Sequence, residues 1–272
     1  NYVLKIISNE DFQDHSYTTI KLLHTKINQQ QFKTKIPIYH DIPELLGLPF
    51  MTFYGHDMIE DKQIVGLLMF DLNELGYEDY GSDSLSINKE LDLAGKFYLA
   101  YQLSRVVTFL HSLSFIHCDI SESAIFINPK QNRLALIDFD SGYNYEKQQK
   151  GITIGKLSQW ASSRLANLFI GNQNGSDTIK KVTIEDENFS LMSATLQIIL
   201  NVMPYFFLID NDDKTKKSYL KKNNWPNIDF ESETFNTNNK EQHESFVKTL
   251  SLLSDYGFNE LTTCFITTFN DG

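Results

Sequence analysis

The sequence has few cysteines, no block of basic residues and no uninterrupted apolar run, which argues against a disulfide-rich, a nucleic-acid-binding or a membrane-spanning protein. Its only two cysteines, Cys118 and Cys264, lie in no paired metal-ligand spacing such as C-x-x-C, so a reducing, cytoplasmic compartment is expected. The formal net charge is -11 and no block of Lys and Arg outnumbers the acids, so nucleic acid is not an expected partner. The longest apolar run, Phe189 to Leu208, is interrupted by polar residues and predicts a buried helix instead of a membrane span.

The apolar patterns predict an α+β protein with strands early and helices late. "NYVLKII" predicts a strand, followed through about Lys35 by a polar region with helix-compatible patches. "LPFMTFYGHD" and "KQIVGLLMFDL" predict a hairpin, as do "AIFIN" and "LALIDF", whereas "NELGYEDYGSDS" is typical of a polar connector. The clearest helix spans Leu91 to Leu113, Phe189 to Met203 predicts a buried helix, and the last helices follow Glu244.

The chemical signal is concentrated between Phe115 and Asp140, in "FIHCDISESAIFINPKQNRLALIDFD". A helix ending in "LH" leads to an H-x-D loop, and a hairpin then delivers a second acid in "DFD". This order resembles the catalytic core of protein kinases, where H-R-D-L-x-x-x-N is followed by D-F-G. The alternative, in which Asp119 caps a turn and Asp138 ends a strand, leaves the shared spacing unexplained.

The resemblance implies a bilobal protein-kinase-like fold, with a small β-rich N-lobe at residues 1–72 and a mainly helical C-lobe at residues 73–272. It also implies ATP and Mg²⁺, or Mn²⁺, as cofactors. Asp119 would then lie beside the attacking hydroxyl, while Asp138 would hold the metal against the phosphates. His117 is expected to be a packed loop residue and not a base.

By the same resemblance, Lys5 in "YVLKI" takes the place of the Lys in V-A-I-K, which contacts the α- and β-phosphates. The alternative is a Lys that faces solvent. The adenine site would be formed by Phe70 at its back, by Asp71 and Leu72 through their backbone groups, and by Phe126 beneath the base.

Several residues depart from the family pattern. Ala124 replaces the Asn that binds the second Mg²⁺, and Ser121 replaces the usual Lys. Asp140 replaces the Gly of D-F-G, where it is expected to serve as a second metal-side carboxylate. Cys118 replaces the Arg of H-R-D, so control by loop phosphorylation is not expected. No Gly-rich loop precedes Lys5, and we expect the gene to encode one upstream if the chain was trimmed.

The family's pairing Glu is harder to locate, because residues 15–40 contain no acid. Asp41 and Glu44 are the first candidates. The leading hypothesis is an atypical or degenerate ATP-dependent protein kinase that phosphorylates a Ser/Thr-type hydroxyl of a protein substrate. One alternative is an inactive pseudokinase that binds nucleotide as a scaffold or allosteric partner of a regulated protein. The other is a small-molecule phosphotransferase, which the D-x-D form favours and the "LHSLSFIH" helix disfavours.

Overall fold

The chain divides into two compact units, Asn1–Gln149 and Lys150–Gly272. The predicted boundary between an N-lobe and a C-lobe, near residue 72, does not coincide with the boundary between these units, and it stays a prediction. The computed structural model describes residues 1–7, 10–33, 47–58, 61–146, 182–200, 228–229, 234–235, 251–255, 257 and 259–264.

A three-stranded antiparallel sheet with the order β1-β3-β2 opens the first unit. Its strands are β1 (Tyr2–Ile7), β2 (Met51–Asp57) and β3 (Lys62–Phe70), so the predicted hairpin is confirmed. Val65 and Leu67 are buried in the central strand. Lys5 is the register partner of Leu67 and lies midway along the edge strand β1.

Helix α1 (Glu10–Lys33) is a single 24-residue helix, where the sequence predicted only helix-compatible patches. Its buried residues recur at helical spacing, but Ser16 and Thr19 share the stripe with Ile20, Leu23 and Ile27. Small polar residues on a buried stripe weaken the apolar signal from which helices are predicted. The length and continuity of this helix were therefore underestimated from the sequence, since its buried stripe is only partly apolar.

Helix α2 (Tyr80–Glu90) follows the two-residue strand β4 (Glu78–Asp79), within and beyond the segment predicted as a connector. Asp79 caps the helix, since its Oδ1 accepts a hydrogen bond from the Gly81 amide at 2.9 Å. Tyr80 is fully buried and accepts a hydrogen bond from Asn88 at 3.1 Å. The Gly and Ser residues of this segment suggested a loop, but the Asp79 cap and the burial of Tyr80 stabilise a helix.

Helix α3 (Leu93–Ser112) confirms the clearest sequence prediction. Asp92 caps it by accepting the Gly95 amide at 2.7 Å, and the chain leaves it through Ser114 at φ 59°. The second predicted hairpin is also present, as β6 (Ile125–Asn128) and β7 (Arg133–Leu136).

Two short paired strands set the position of the chemical residues. β5 (Phe115–Ile116) follows α3, and it pairs with β8 (Tyr143–Asn144) in antiparallel register. The H-x-D loop therefore lies between β5 and β6, and the D-F-D turn lies between β7 and β8. The H-x-D loop begins after β5 and the D-F-D turn ends before β8. Because β5 and β8 pair with each other, the two segments lie close together.

The second unit contains helix α4 (Ile184–Leu200), which covers most of the predicted buried helix. Thr183 and Asp186 cap it reciprocally, with the Thr183 amide donating to Asp186 Oδ2 at 2.8 Å and the Asp186 amide donating to Thr183 Oγ1 at 3.4 Å. β9 (Ile228–Asp229) pairs with β10 (Thr234–Phe235), and residues 251–255 and 259–264 are helical. Within the described residues no helix is long and apolar enough to cross a membrane.

Candidate functional site

An ion cluster joins the start of the chain to the D-F-D turn. The Lys5 ammonium lies 3.0 Å from Asp138 Oδ1 and 2.9 Å from Asp140 Oδ1. Burial lowers the pKa of Lys5, but the carboxylates of Asp140 and Asp138 together outweigh it and raise the pKa above its ordinary value. Lys5 is therefore charged at neutral pH and is held by two acids at once.

The D-F-D turn has an unusual backbone. Asp138 adopts a left-handed conformation, with φ 64° and ψ 47°, and Phe139–Ser141 form one 3-10 turn after it. For residues other than Gly this conformation costs about 1–2 kcal/mol, and Asp tolerates it better than most. Such strain persists where the surroundings hold it, and here Phe139 is buried immediately after Asp138.

His117 ties the H-x-D loop to the end of strand β7. Its ring is fully buried, and its Nε2 donates to the Ile137 carbonyl at 2.7 Å. Its Nδ1 accepts a hydrogen bond from the Asp119 amide at 3.3 Å, so the ring has the hydrogen-bonding pattern of neutral histidine. The ring also makes an edge contact with Phe139, at 4.9 Å between centroids. The expectation that His117 is a packed loop residue is confirmed.

Asp119 follows His117 and is half-buried. Burial raises the pKa of the Asp119 carboxyl, and the neighbouring carboxylates of Asp138 and Asp140 add to this, while Lys5 opposes it. The three predicted acids are thus close enough to interact, and Asp119 is the one that is poised to take up a proton.

Replacing Asp119 by Asn is expected to stabilise the folded chain at neutral pH. Because the folded-state pKa is raised, the folded chain binds more protons than the unfolded chain, and the wild type loses stability as pH rises from about 3.8 through the folded pKa. Above that window Asp119→Asn should raise the free energy of unfolding by about 1 kcal/mol, because the neutral amide avoids the cost of a buried charge beside two carboxylates. The gain should vanish below the window. Urea unfolding at several pH values measures it, and a variant less stable than wild type at pH 7 would contradict it.

A cavity of about 560 Å³ is lined by chain neighbours of this cluster, while Lys5, Asp119, Asp138 and Asp140 themselves are not in its wall. Phe70, Asp71, Leu72 and Phe126, the four residues predicted to surround an adenine, all contribute to its wall. Val3 and Ile137 also line it. Val3 is two residues before Lys5 in the chain, and Ile137 is one residue before Asp138. The remaining wall includes His24, Ile27, Asn28, Gly47, Leu48, Phe50, Met69, Asn73, Leu75, Tyr77 and Ala135.

The backbone at Asp71 and Leu72 already has partners within the chain. The Asp71 amide donates to the Asn1 carbonyl at 3.3 Å, and the Leu72 carbonyl accepts from the Tyr77 amide at 2.9 Å. Gly76, at φ 80°, provides the left-handed residue that lets this turn close. A base that used these two groups would have to share them with their present partners.

The carboxylates fit a magnesium ion that is shared with a nucleotide. Mg²⁺ is commonly held by one or two protein carboxylates together with substrate phosphates and water, and Asp138 and Asp140 provide such a pair. In the described part of the chain, no group of three or more His, Cys, Asp or Glu side chains could hold a metal ion. Ala124 is buried and has no ligand atom, while its carbonyl accepts the Ile137 amide at 2.9 Å.

Comparison with known proteins agrees with this architecture at the level of the fold. No protein-family model matches the chain. A solved structure described as that of vaccinia related kinase 3 is similar, with a TM-score of 0.54 and 14% sequence identity over 99% of this chain and 80% of that chain. The chain therefore has a protein-kinase-like α+β fold.

Sequence reasoning missed one wall of the site. His24, Ile27 and Asn28 of helix α1 line the cavity, and no motif singles them out. The family's pairing Glu has no equivalent at residues 15–29 of α1, where there is no acid. Asp41 and Glu44, its first sequence candidates, lie outside the described residues.

Proposed function

We propose that the chain is an atypical ATP-dependent kinase that transfers phosphate to a hydroxyl of a protein substrate. The observation that carries this proposal is the ion cluster of Lys5, Asp138 and Asp140, whose chain neighbours Val3 and Ile137 line the cavity. Phosphoryl transfer requires a nucleotide pocket, a cation for the phosphates and carboxylates for a metal and an acceptor. The cavity, Lys5 and the three acids are our candidates for these parts.

The adenine would occupy the cavity between Phe70 and Phe126, with Lys5 on the phosphates. To reach them, the Lys5 ammonium would leave at least one of its two carboxylates. Asp138 and Asp140 would hold a divalent cation, which neutralises charge on the transferring phosphoryl group when it is bound.

Asp119 would act at the acceptor. As the acceptor oxygen bonds to the γ-phosphorus, the bond to the β–γ bridging oxygen breaks, ADP leaves and the hydroxyl proton passes to Asp119. The raised pKa of this carboxyl, which comes first from burial and then from its acidic neighbours, favours proton uptake.

A pseudokinase that binds nucleotide and regulates a partner protein is the second candidate, and Ala124 and Ser121 favour it. Neither side chain replaces the metal ligand or the cation found at these positions in the family, so charge on a transferring group would be less neutralised. The two candidates share the nucleotide site and differ in transfer. The residues from 205 to 245, where a deep acceptor pocket would favour a small-molecule phosphotransferase, lie outside the described residues except for β9 and β10.

Filling the cavity tests the nucleotide site. Val3 is 42% exposed and lines the cavity, so Val3→Trp should be tolerated while it occupies space needed by the base. We expect it to weaken ATP binding at least about tenfold in isothermal titration calorimetry, equivalent to about 1.4 kcal/mol.

Ile6→Trp is the matched control on the same strand. Ile6 is 54% exposed, and its odd spacing from Val3 puts its side chain on the opposite face of the sheet. It should leave ATP affinity within about twofold of wild type, a difference of less than 0.5 kcal/mol. Equal ATP affinity for wild type and Val3→Trp would place the nucleotide elsewhere.

A further inference from the structure

Helix α1 contacts the candidate site through side chains other than acids, in the part of the helix whose side chains the structure describes, residues 15–29. It packs against the 3-10 turn Phe139–Ser141, yet residues 15–29 of the helix include no Asp or Glu. Lys5 binds the acids of the turn instead. Among these described side chains, a contact other than an ion pair with a helix acid therefore joins the helix to the turn.

His15 provides a direct contact of this kind. Its Nε2 lies 3.0 Å from the Gly142 carbonyl oxygen, two residues after Asp140. Burial lowers the pKa of His15, although the Gly142 carbonyl and Asp140 partly oppose this, so the ring is neutral at pH 7 and can donate through Nε2. Thr19, one helical turn further along α1, is buried and places its Oγ1 3.5 Å from the same nitrogen.

Gly142 is a strong anchor because its own position is fixed. Its amide closes the turn by donating to the Phe139 carbonyl at 3.1 Å. A Cβ here would lie 2.8 Å from the Ile116 carbonyl oxygen and would also meet the Phe115 ring, so only Gly fits. The next residue, Tyr143, pairs with Ile116 in the strand pair β5–β8.

The D-F-D turn is thus held from two sides. His117 and strand β5 hold it from the H-x-D loop, through the Ile137 carbonyl, the Phe139 ring and Tyr143. His15 holds it from helix α1. The same helix supplies His24, Ile27 and Asn28 to the cavity wall, so α1 contacts the nucleotide pocket and the turn together.

We propose that His15 is a positioning residue that fixes the D-F-D turn on helix α1 and keeps Asp138 and Asp140 arranged for a divalent cation. This inference rests on the proposed function for its effect on nucleotide binding. It rests on the structure alone for its effect on the turn. His15 would contact neither nucleotide nor metal, and would act through the backbone of Gly142.

The test compares His15→Ala with His15→Gln in the full chain. Ala is the best helix former, so His15→Ala removes the ring without weakening α1, and Gln keeps an N–H donor on a helix-compatible side chain. Thr25→Ala is the control, because Thr25 is exposed on the same helix and its hydroxyl donates within the helix, to the Lys21 carbonyl at 2.9 Å.

The first readout is the gain in ATP affinity produced by Mg²⁺, from calorimetry with and without the metal. His15→Ala should reduce this gain about fivefold, the equivalent of one hydrogen bond, and leave metal-free ATP affinity unchanged. His15→Gln should restore most of the gain, and Thr25→Ala should resemble wild type. An unchanged gain in His15→Ala, or an equal loss with and without metal, would overturn the proposal, as would a failure of His15→Gln to restore it.

The second readout is amide hydrogen exchange at Gly142, whose N–H closes the turn. His15→Ala should speed this exchange about fivefold, and His15→Gln should slow it again. This readout needs no ligand. If wild type shows no ATP binding while His15→Ala still speeds the exchange, the proposed function fails and the anchoring of the turn stands. If ATP binds with a metal-dependent gain and the exchange does not change, the anchoring fails and the proposed function stands.

Discussion

Asp138→Asn should abolish most of the gain in ATP affinity that Mg²⁺ gives the wild-type chain. Asp138 is the acid at the start of the turn, and its neutral replacement leaves Asp140 as the remaining carboxylate of the pair. Loss of groups that support a bound metal typically costs about 10- to 100-fold in metal affinity, and a direct ligand should cost at least as much. Calorimetry with ATP, in the presence and absence of Mg²⁺, measures the gain.

The substitution should leave the backbone of the turn intact, because Asn tolerates the left-handed conformation that Asp138 adopts. Asp61→Asn is a close control. Asp61 is also left-handed, at φ 51°, and its side chain is 95% exposed near His56, outside the candidate site. It should keep the full metal-dependent gain. Equal behaviour of the two variants would mean that Asp138 does not hold the metal.

Lys5→Met should change metal and nucleotide binding in opposite directions. The Lys5 ammonium now neutralises part of the charge on Asp138 and Asp140, so its removal should strengthen Mn²⁺ binding in the absence of nucleotide. The Lys5 and Asp138 side chains are 35% and 33% exposed, and solvent limits the effect to roughly 1 kcal/mol, or about fivefold. The same variant should weaken Mg²⁺-ATP binding about tenfold or more, since the cation for the phosphates is lost.

These opposite changes separate a phosphate-binding Lys5 from a merely structural one. Mn²⁺ affinity can be followed by electron paramagnetic resonance, and Mg²⁺-ATP affinity by calorimetry. Lys89→Met is the control, because Lys89 is exposed in the last turn of helix α2. If Lys5→Met weakens the binding of both ligands, the ion pairs maintain the fold of the site and do not compete with its ligands.

Local sequence patterns were sufficient to predict a helix or a hairpin where the hydrophobic periodicity was strong. Helix α3 has a continuous apolar face, and both predicted hairpins pair β-rich runs across short polar segments, so periodicity alone located them. Helix α1 was harder, because Ser16 and Thr19 occupy buried positions that a clear pattern would fill with apolar residues. Helix α2 was missed because its start is decided by the Asp79 cap and the buried Tyr80, and not by its overall composition.

In the candidate site, too, the motifs identified the residues, whereas their contacts depend on the tertiary structure. The motif order singled out Lys5, Asp119, Asp138 and Asp140, and the fold brings the four near one another. Asp41 and Glu44, the first sequence candidates for the acid that pairs with Lys5, lie outside the described residues. The ion pairs of Lys5 that the structure describes come from Asp138 and Asp140 of one turn, which the sequence did not predict as its partners. The contact between His15 and Gly142 joins residues 127 positions apart, and no local pattern encodes it.

The departures from the family pattern have a common electrostatic consequence. Compared with the protein-kinase pattern that the proposal uses, Ala124 and Ser121 lack side chains that would bind a metal and the phosphates, whereas Asp140 adds a carboxylate that Lys5 already neutralises in part. Fewer groups would then stabilise charge on a transferring phosphoryl group, and transfer should be slow compared with nucleotide binding. Binding and transfer must therefore be measured separately.

Intact-mass analysis after incubation with ATP and Mg²⁺ or Mn²⁺, alone and with an acceptor protein, tests the proposed phosphoryl transfer most directly. We predict addition of phosphate by the wild-type chain and none by Asp138→Asn, with Asp61→Asn behaving as wild type. A wild-type chain that binds ATP in the cavity and adds no phosphate under any of these conditions would contradict transfer and assign the site to nucleotide binding alone.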